Sequence, residues 1–222
     1  MEIIAIAMQK GGVGKSTLAR SLAVAASKGG YNVLVLDMDA QQSMSHWAER
    51  RAEQLPAVKF SSESELPKML ERAEGAGCDL VIIDTPPARS TEASAAVEEA
   101  NLAIIPCTPD IEAYEQLPRT ARVARTTGTP AAAVLTMVHP TSKTEEKIAR
   151  KVFATIGIPM AEAVLHRFKV HRDASREGVT AQEMEPDSKA AQEIQVLWDW
   201  LCAQLHIGTR ANVHNIAGIS YG

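Results

Sequence analysis

Lys10-Gly11-Gly12-Val13-Gly14-Lys15-Ser16-Thr17 sets three glycines between two lysines and closes on two hydroxyl side chains. Residues of these types in this order can hold a phosphate chain. Glycine lets the backbone fold closely round an anion and aim successive N–H groups at it. The apolar run at 3–7 lies just before the loop and a helical pattern begins near Ser16, so a helix N-terminus adds its partial positive charge at the same place. Lys15 is then set to reach the β- and γ-phosphates of a nucleotide, and Ser16 to offer its hydroxyl to Mg²⁺. A glycine-rich turn with two solvated lysines is the competing reading, but strand, turn, lysine and helix all agree with a phosphate cradle.

Carboxylates follow two further apolar runs. Asp37-Met38-Asp39-Ala40-Gln41-Gln42 comes after the run at 33–36, and Asp84-Thr85-Pro86-Pro87 closes the run at 80–83. Alternate side chains of a strand share a face, so Asp37 and Asp39 can approach Mg²⁺ or a water from one side. They can equally serve as turn acids and helix caps. An acid ending an apolar strand is the Walker B arrangement, in which Asp84 holds Mg²⁺ through water and the loop to Ser90 senses the γ-phosphate.

These groups have to be carried by a sheet. Apolar runs at 3–7, 33–36, 80–83, 102–105 and 131–135 are unbroken rather than alternating, as strands covered on both faces are, and segments of helical period separate them. The expected fold is therefore α/β, with a mainly parallel sheet flanked by helices. Ligands of such sheets gather at the carboxyl ends of the strands. Helices are expected at 45–54, 65–76, 143–153 and 188–205, with a short edge strand at 58–60 and a less regular, basic stretch at 164–185. The 222 residues, 45% hydrophobic, suit one domain over 1–205 followed by a poorly ordered tail at 206–222.

Composition narrows the function. A formal charge of −4 does not advertise nucleic acid or membrane binding, so either would need a local basic patch. Cys78, Cys107 and Cys202 have no metal spacing and suit core positions in a reducing cytosol. The start does not read as a signal peptide, and no apolar stretch is long enough to cross a bilayer. His46 and His139 have no ligand partner at a telling spacing. Arg119, Arg122 and Arg125 recur at threes and read first as a solvated helix face.

A strict P-loop carries glycine five places before Gly14, where this chain has Gln9, and a second lysine, Lys10, stands beside it. The pattern KGGxGK[S/T] resembles the deviant Walker A loop of the ParA/MinD ATPases. The resemblance spans residues 1–205 and is specific at 10–17, 37–41 and 84–87. It implies a P-loop NTPase fold of the deviant Walker A type that binds ATP and Mg²⁺ through Lys10, Gly11, Gly12, Val13, Gly14, Lys15, Ser16 and Thr17. Lys10, Lys15 and Asp39 are the implied catalytic residues: Lys10 acts on the nucleotide of the partner in an ATP-dependent homodimer, and Asp39 orients the attacking water. Ser16, Asp84 and Asp39 are the implied metal neighbours. Ala40 stands where the family usually has proline, leaving Asp39 and Gln41 in register. Asp110 falls in the turn that lines the nucleotide and dimer face.

Leu165-His166-Arg167 matches the family's I-P-R, and Arg167, Lys169, Arg172 and Lys189 are the implied DNA contacts, with a solvated loop as the alternative for each. Taken whole, the chain resembles a short ParA-type partition ATPase without an extra N-terminal DNA-binding domain. That implies nonspecific DNA binding by the ATP dimer, a cytoplasmic, nucleoid-associated location, and hydrolysis stimulated by a centromere-binding ParB-like or small DNA-binding partner. The alternatives are a MinD-like or other cargo-positioning ATPase, and a P-loop kinase or ligase acting on a small metabolite.

Overall fold

The computed structural model describes residues 1–87 and 90–208. Seven parallel strands form one sheet: β1 (Glu2–Ile6), β2 (Val33–Asp37), β3 (Ala57–Phe60), β4 (Leu80–Asp84), β5 (Leu102–Cys107), β6 (Ala131–Val138) and β7 (Met160–His166), in the order β3-β2-β4-β1-β5-β6-β7. Every residue of β2, β4 and β5 is buried, which is why these segments read as unbroken apolar runs. Alternation survives in which face each residue serves. Ile4, Ile6, Val35 and Ile82 pack towards α1 (Lys15–Lys28) and α9 (Lys189–Leu205), against Leu22, Leu197, Trp198 and Leu201. Ala5, Leu34, Leu36, Val81 and Ile83 meet Leu66 and Leu70 of α3 (Leu66–Gly75) and Val97 of α4 (Thr91–Glu98) on the other face.

Register brings the chemistry together. Asp84 lies beside Ile6 on one side and Asp37 on the other, so the carboxyl ends of β1, β2 and β4 open side by side under the glycine loop. The remaining helices are α2 (Ser43–Glu49), α5 (Ile111–Thr127), α6 (Glu145–Ile156), α7 (Lys169–Arg176) and α8 (Ala181–Met184).

Three expectations need correction. The stretch at 164–185 is not irregular: it holds the end of the edge strand β7 and the helices α7 and α8. Strand β7, Met-Ala-Glu-Ala-Val-Leu-His, exposes Glu162 between buried Ala161 and Ala163, so its signal is alternation and not an apolar run. Helix α2 ends at Glu49, short of the expected 54, because Arg50 caps it and the chain turns away. Strand β6 runs on through Thr136 and Met137 to Val138, past the expected end at 135. His206, Ile207 and Gly208 close the described chain, with Ile207 N–H donating to the Cys202 carbonyl at 3.0 Å and the Tyr31 hydroxyl donating to that of Gly208; the rest of the expected tail, 209–222, lies outside the described residues. No described helix is long and apolar enough to cross a membrane.

Candidate nucleotide site

The loop from β1 to α1 takes the shape its glycines allow. Gly12 and Gly14 adopt φ +77° and +92°, a region that L side chains rarely enter, and a Cβ on Gly14 would lie 3.5 Å from the Met137 methyl carbon. Val13 is fully buried, and its carbonyl accepts from the Thr136 hydroxyl at 2.9 Å, pinning the loop to β6. Helix α1 starts without a side-chain cap and without an acid in its first turn, so its leading N–H groups stay available to an anion. Lys15 is buried and its Nζ donates to the Lys10 carbonyl at 3.4 Å. Burial lowers its pKa, while Asp84 and Asp39 pull the other way.

Asp84 stands apart from the other acids of the site. It is fully buried, and neither carboxylate oxygen has a hydrogen-bond partner. Burial raises its pKa to about 7; the Ser16 hydroxyl and Lys15 hold it down, and Asp37 and Asp39 push it up. A buried, unmet carboxylate is costly unless a cation completes it. The donors fit Mg²⁺, which takes one or two protein oxygens and fills its shell with water and phosphate. No group of three or more His, Cys, Asp or Glu residues that could hold a metal alone occurs among the described residues.

The two acids after β2 part company. Asp37 is fully buried and caps α2: its carboxylate accepts from Met44 N–H at 3.0 Å, Ser45 N–H at 2.9 Å, the Ser45 hydroxyl at 3.0 Å and Asp39 N–H at 3.2 Å. Three of these bonds fall on Oδ2 and one on Oδ1, so Asp37 is engaged chiefly in holding the start of α2, and the two acids do not share one approach. Asp39 is only half-buried and spends one oxygen on Gln41 N–H at 2.9 Å. It lines a cleft of about 560 Å³ together with Gly11, Lys15, Ser16 and Pro87.

Lys10 leaves the cradle. Its ammonium pairs with Asp110 and lies 3.6 Å from Glu112, and the Asp110 bond raises its pKa. Asp110 also caps α5 through Ala113 N–H at 2.9 Å and accepts from the Thr108 hydroxyl at 2.5 Å. Burial alone would raise the Asp110 pKa, yet Lys10, Thr108 and the Ala113 N–H together hold it at about 2.

A larger cleft, of about 1050 Å³, extends from Gly12 and Gly14 past Met137, Pro140 and Phe168 to α7. Arg167, Lys169 and Arg172 line it, whereas Lys189 is exposed on the first turn of α9 outside that lining. Asp173 sits among the α7 cations, 3.1 Å from Lys169, 3.7 Å from Arg172 and 3.8 Å from Arg176. Sequence reasoning missed Met137 and Phe168 as cleft residues. Met137 has one signature, a non-glycine φ of +56°, and that belongs to the fold and not to any local pattern.

With this geometry in place, the relatives are informative. Residues 4–181 match the CobQ/CobB/MinD/ParA nucleotide binding domain, and the chain belongs to that family of P-loop proteins. It is similar to the maintenance of carboxysome distribution protein A of Gloeobacter kilaueensis, at 35% identity over 210 residues covering 88% of this chain and 95% of that protein. It also resembles a ParA protein of Rhizobium radiobacter, at 32% identity, but over only 49% of this chain and 50% of that one. Among solved structures, an ATP complex of a Cyanothece McdA variant shares the fold with a TM-score of 0.74 at 16% identity, covering 96% of this chain and 99% of that one.

Proposed function

We propose that this chain is a Mg²⁺-dependent ATPase that positions a cargo inside the cell, working as an ATP-dependent homodimer. The cradle of residues 10–17 takes the phosphates, with Lys15 on the β- and γ-groups. The larger cleft, between Met137, Pro140 and Phe168, takes the base and ribose. Ser16 and Asp84 would hold the metal. Bound Mg²⁺ neutralises the phosphate charge that builds up during transfer to water. Asp39, half-exposed at the mouth of the smaller cleft, orients that water, and Lys10 reaches the partner's nucleotide.

The observation that carries the positioning reading is the match along nearly the whole length of a carboxysome distribution protein. The sequence alone favoured DNA partition; the ParA relative supports that second reading over only half of each chain. Both readings share an exposed cationic surface, Arg167, Lys169, Arg172 and Lys189, that would ride on DNA without sequence preference, and a partner protein that stimulates hydrolysis. A fluorescent fusion in the native host tests the choice: deleting the chain should cluster a protein-built cargo while leaving plasmid and chromosome inheritance unchanged. Loss of plasmids with evenly spread cargo would favour partition. Labelled ATP resolved by thin-layer chromatography should give free phosphate as sole labelled product; a labelled small molecule would instead mark a kinase or ligase.

A further inference from the structure

Two arginines converge on the cleft that holds Lys15, and neither pairs with an acid among the described residues. Arg20 lies one turn into α1, and its Nη2 donates to the Thr17 hydroxyl at 2.7 Å. Arg50 caps α2, and its Nη2 donates to the Ser175 carbonyl of α7 at 3.3 Å. Both line the cleft beside Thr17 and Ser175. The contrast with their neighbours is plain. Arg51, next in the chain, forms a two-bonded pair with Glu183 at 2.6 and 3.1 Å, and the three cations of α7 surround Asp173. Asp39 faces the same cleft and Asp84 lies behind it, yet neither hydrogen-bonds either guanidinium among the described residues.

The place is built, not merely exposed. A Cβ on Gly178 would come within 2.5 Å of the Arg50 carbonyl carbon and oxygen, so the end of α2 is seated directly on the chain after α7. Arg51 locks that seat through the Gly178 carbonyl at 3.1 Å and through Glu183, and the Trp47 indole donates to the Val179 carbonyl at 3.2 Å. His171 of α7 lines the larger cleft together with Arg20; burial and the Arg20 charge both lower its pKa. Burial likewise lowers that of Arg20 to about 10, with Asp84 opposing and the Arg50 charge adding to the fall. Like charges that share one cleft repel, and guanidinium forks match phosphate oxygens better than any other side chain does.

We propose that Arg20 and Arg50, with the Thr17 hydroxyl, form a second phosphate-binding pocket beside the glycine loop, built from α1 and α2 and bordered by Ser175 of α7. The proposal rests on the reading that the loop itself binds nucleotide. The phosphate has two possible sources, the bound nucleotide or free inorganic phosphate.

Isothermal titration of the whole chain separates them. First ADP with Mg²⁺ is titrated into the parent and into Arg50→Gln, and then inorganic phosphate into each protein saturated with ADP. If the phosphate is free, the ADP-loaded parent binds it and Arg50→Gln weakens that binding by about tenfold while leaving ADP affinity unchanged. If it belongs to the nucleotide, added phosphate gives no heat, and Arg50→Gln weakens ADP itself by about tenfold. Arg50 is exposed, so its replacement leaves the core intact, and Arg20→Gln should repeat whichever pattern appears. Unchanged affinities for both ligands in Arg50→Gln would overturn the proposal. Failure of the nucleotide reading shows separately, as a parent that does not bind ADP; inorganic phosphate titrated into the free parent and Arg50→Gln then still decides the pocket.

Discussion

Lys10 and Lys15 belong to one loop, yet the fold places them in opposite surroundings. Lys15 is buried, lies in the cradle and donates a hydrogen bond to the Lys10 carbonyl, and burial weakens its hold on its proton. Lys10 points outward to Asp110 and Glu112, and that company strengthens the hold. The first lysine is a charge awaiting an anion. The second already has its counter-ions within the monomer, so any role across a dimer requires it to leave Asp110. On the proposed function, the same loop would combine a group that serves its own nucleotide with one that passes to the partner's.

The strongest way to break the comparison is to remove the inward lysine. Lys15→Gln should lower the rate of phosphate release by about 10²–10³-fold, the scale of losing a main transition-state cation, measured as free phosphate from ATP with Mg²⁺. Normal turnover would show that Lys15 is not in the phosphate site.

Asp84 sharpens the same side of the comparison, since it is the buried acid behind Lys15. A carboxyl whose folded-state pKa is raised binds its proton more tightly when folded, so stability falls as pH rises from the unfolded value of 3.8 through about 7. Asp84→Asn removes that charge. Without metal or nucleotide it should melt higher than the parent at pH 8, by at most about 4 kcal/mol on the scale of 1.36 kcal/mol per tenfold change in proton affinity, and the gap should close towards pH 4. Thermal unfolding across pH checks this, and a constant gap would mean that the carboxylate is not the source. The same variant should lose stabilisation by Mg²⁺ with ATP.

Asp110→Asn probes the outward lysine, with a smaller effect. Asparagine caps a helix about as well as aspartate, so the change isolates the ion pair, which is partly exposed and worth at most about 1 kcal/mol. Freed from its counter-ion, Lys10 should support the ATP dimer at lower protein concentration, read by analytical ultracentrifugation. A weaker dimer would assign Asp110 to the interface itself.

How much of this was legible in the sequence depends on how local each signal is. The glycine loop, β2, β4 and the acid at Asp84 were readable because a short run of residues dictates each one. The sequence could not decide between Asp37 and Asp39, since both caps and metal sites use aspartate after a strand. Packing decides: the start of α2 folds back over Asp37 and engages its Oδ2 three times, whereas Asp39 spends one oxygen on Gln41 N–H and turns to the cleft. Met137, Phe168, Arg20 and Arg50 were out of reach for a different reason. Phe168 lines the larger cleft, Arg50 the smaller, and Met137 and Arg20 both, because β6, α1, α2 and α7 come together there, and no spacing in the chain records that. The basic stretch was visible as composition, but its pairing with Asp173 and the position of Lys189 apart from the cleft needed the helices.

The comparison between the lysines is tested most directly by mixing two inactive variants, Lys10→Ala and Lys15→Gln, and measuring phosphate release from ATP. If Lys10 serves the partner's nucleotide, the Lys10→Ala subunit keeps its own Lys15 and receives Lys10 from the other chain, so one complete site forms per mixed dimer and activity returns. If Lys10 serves its own nucleotide, every site in the mixture lacks one lysine, and a mixture as inactive as its two components would contradict the account.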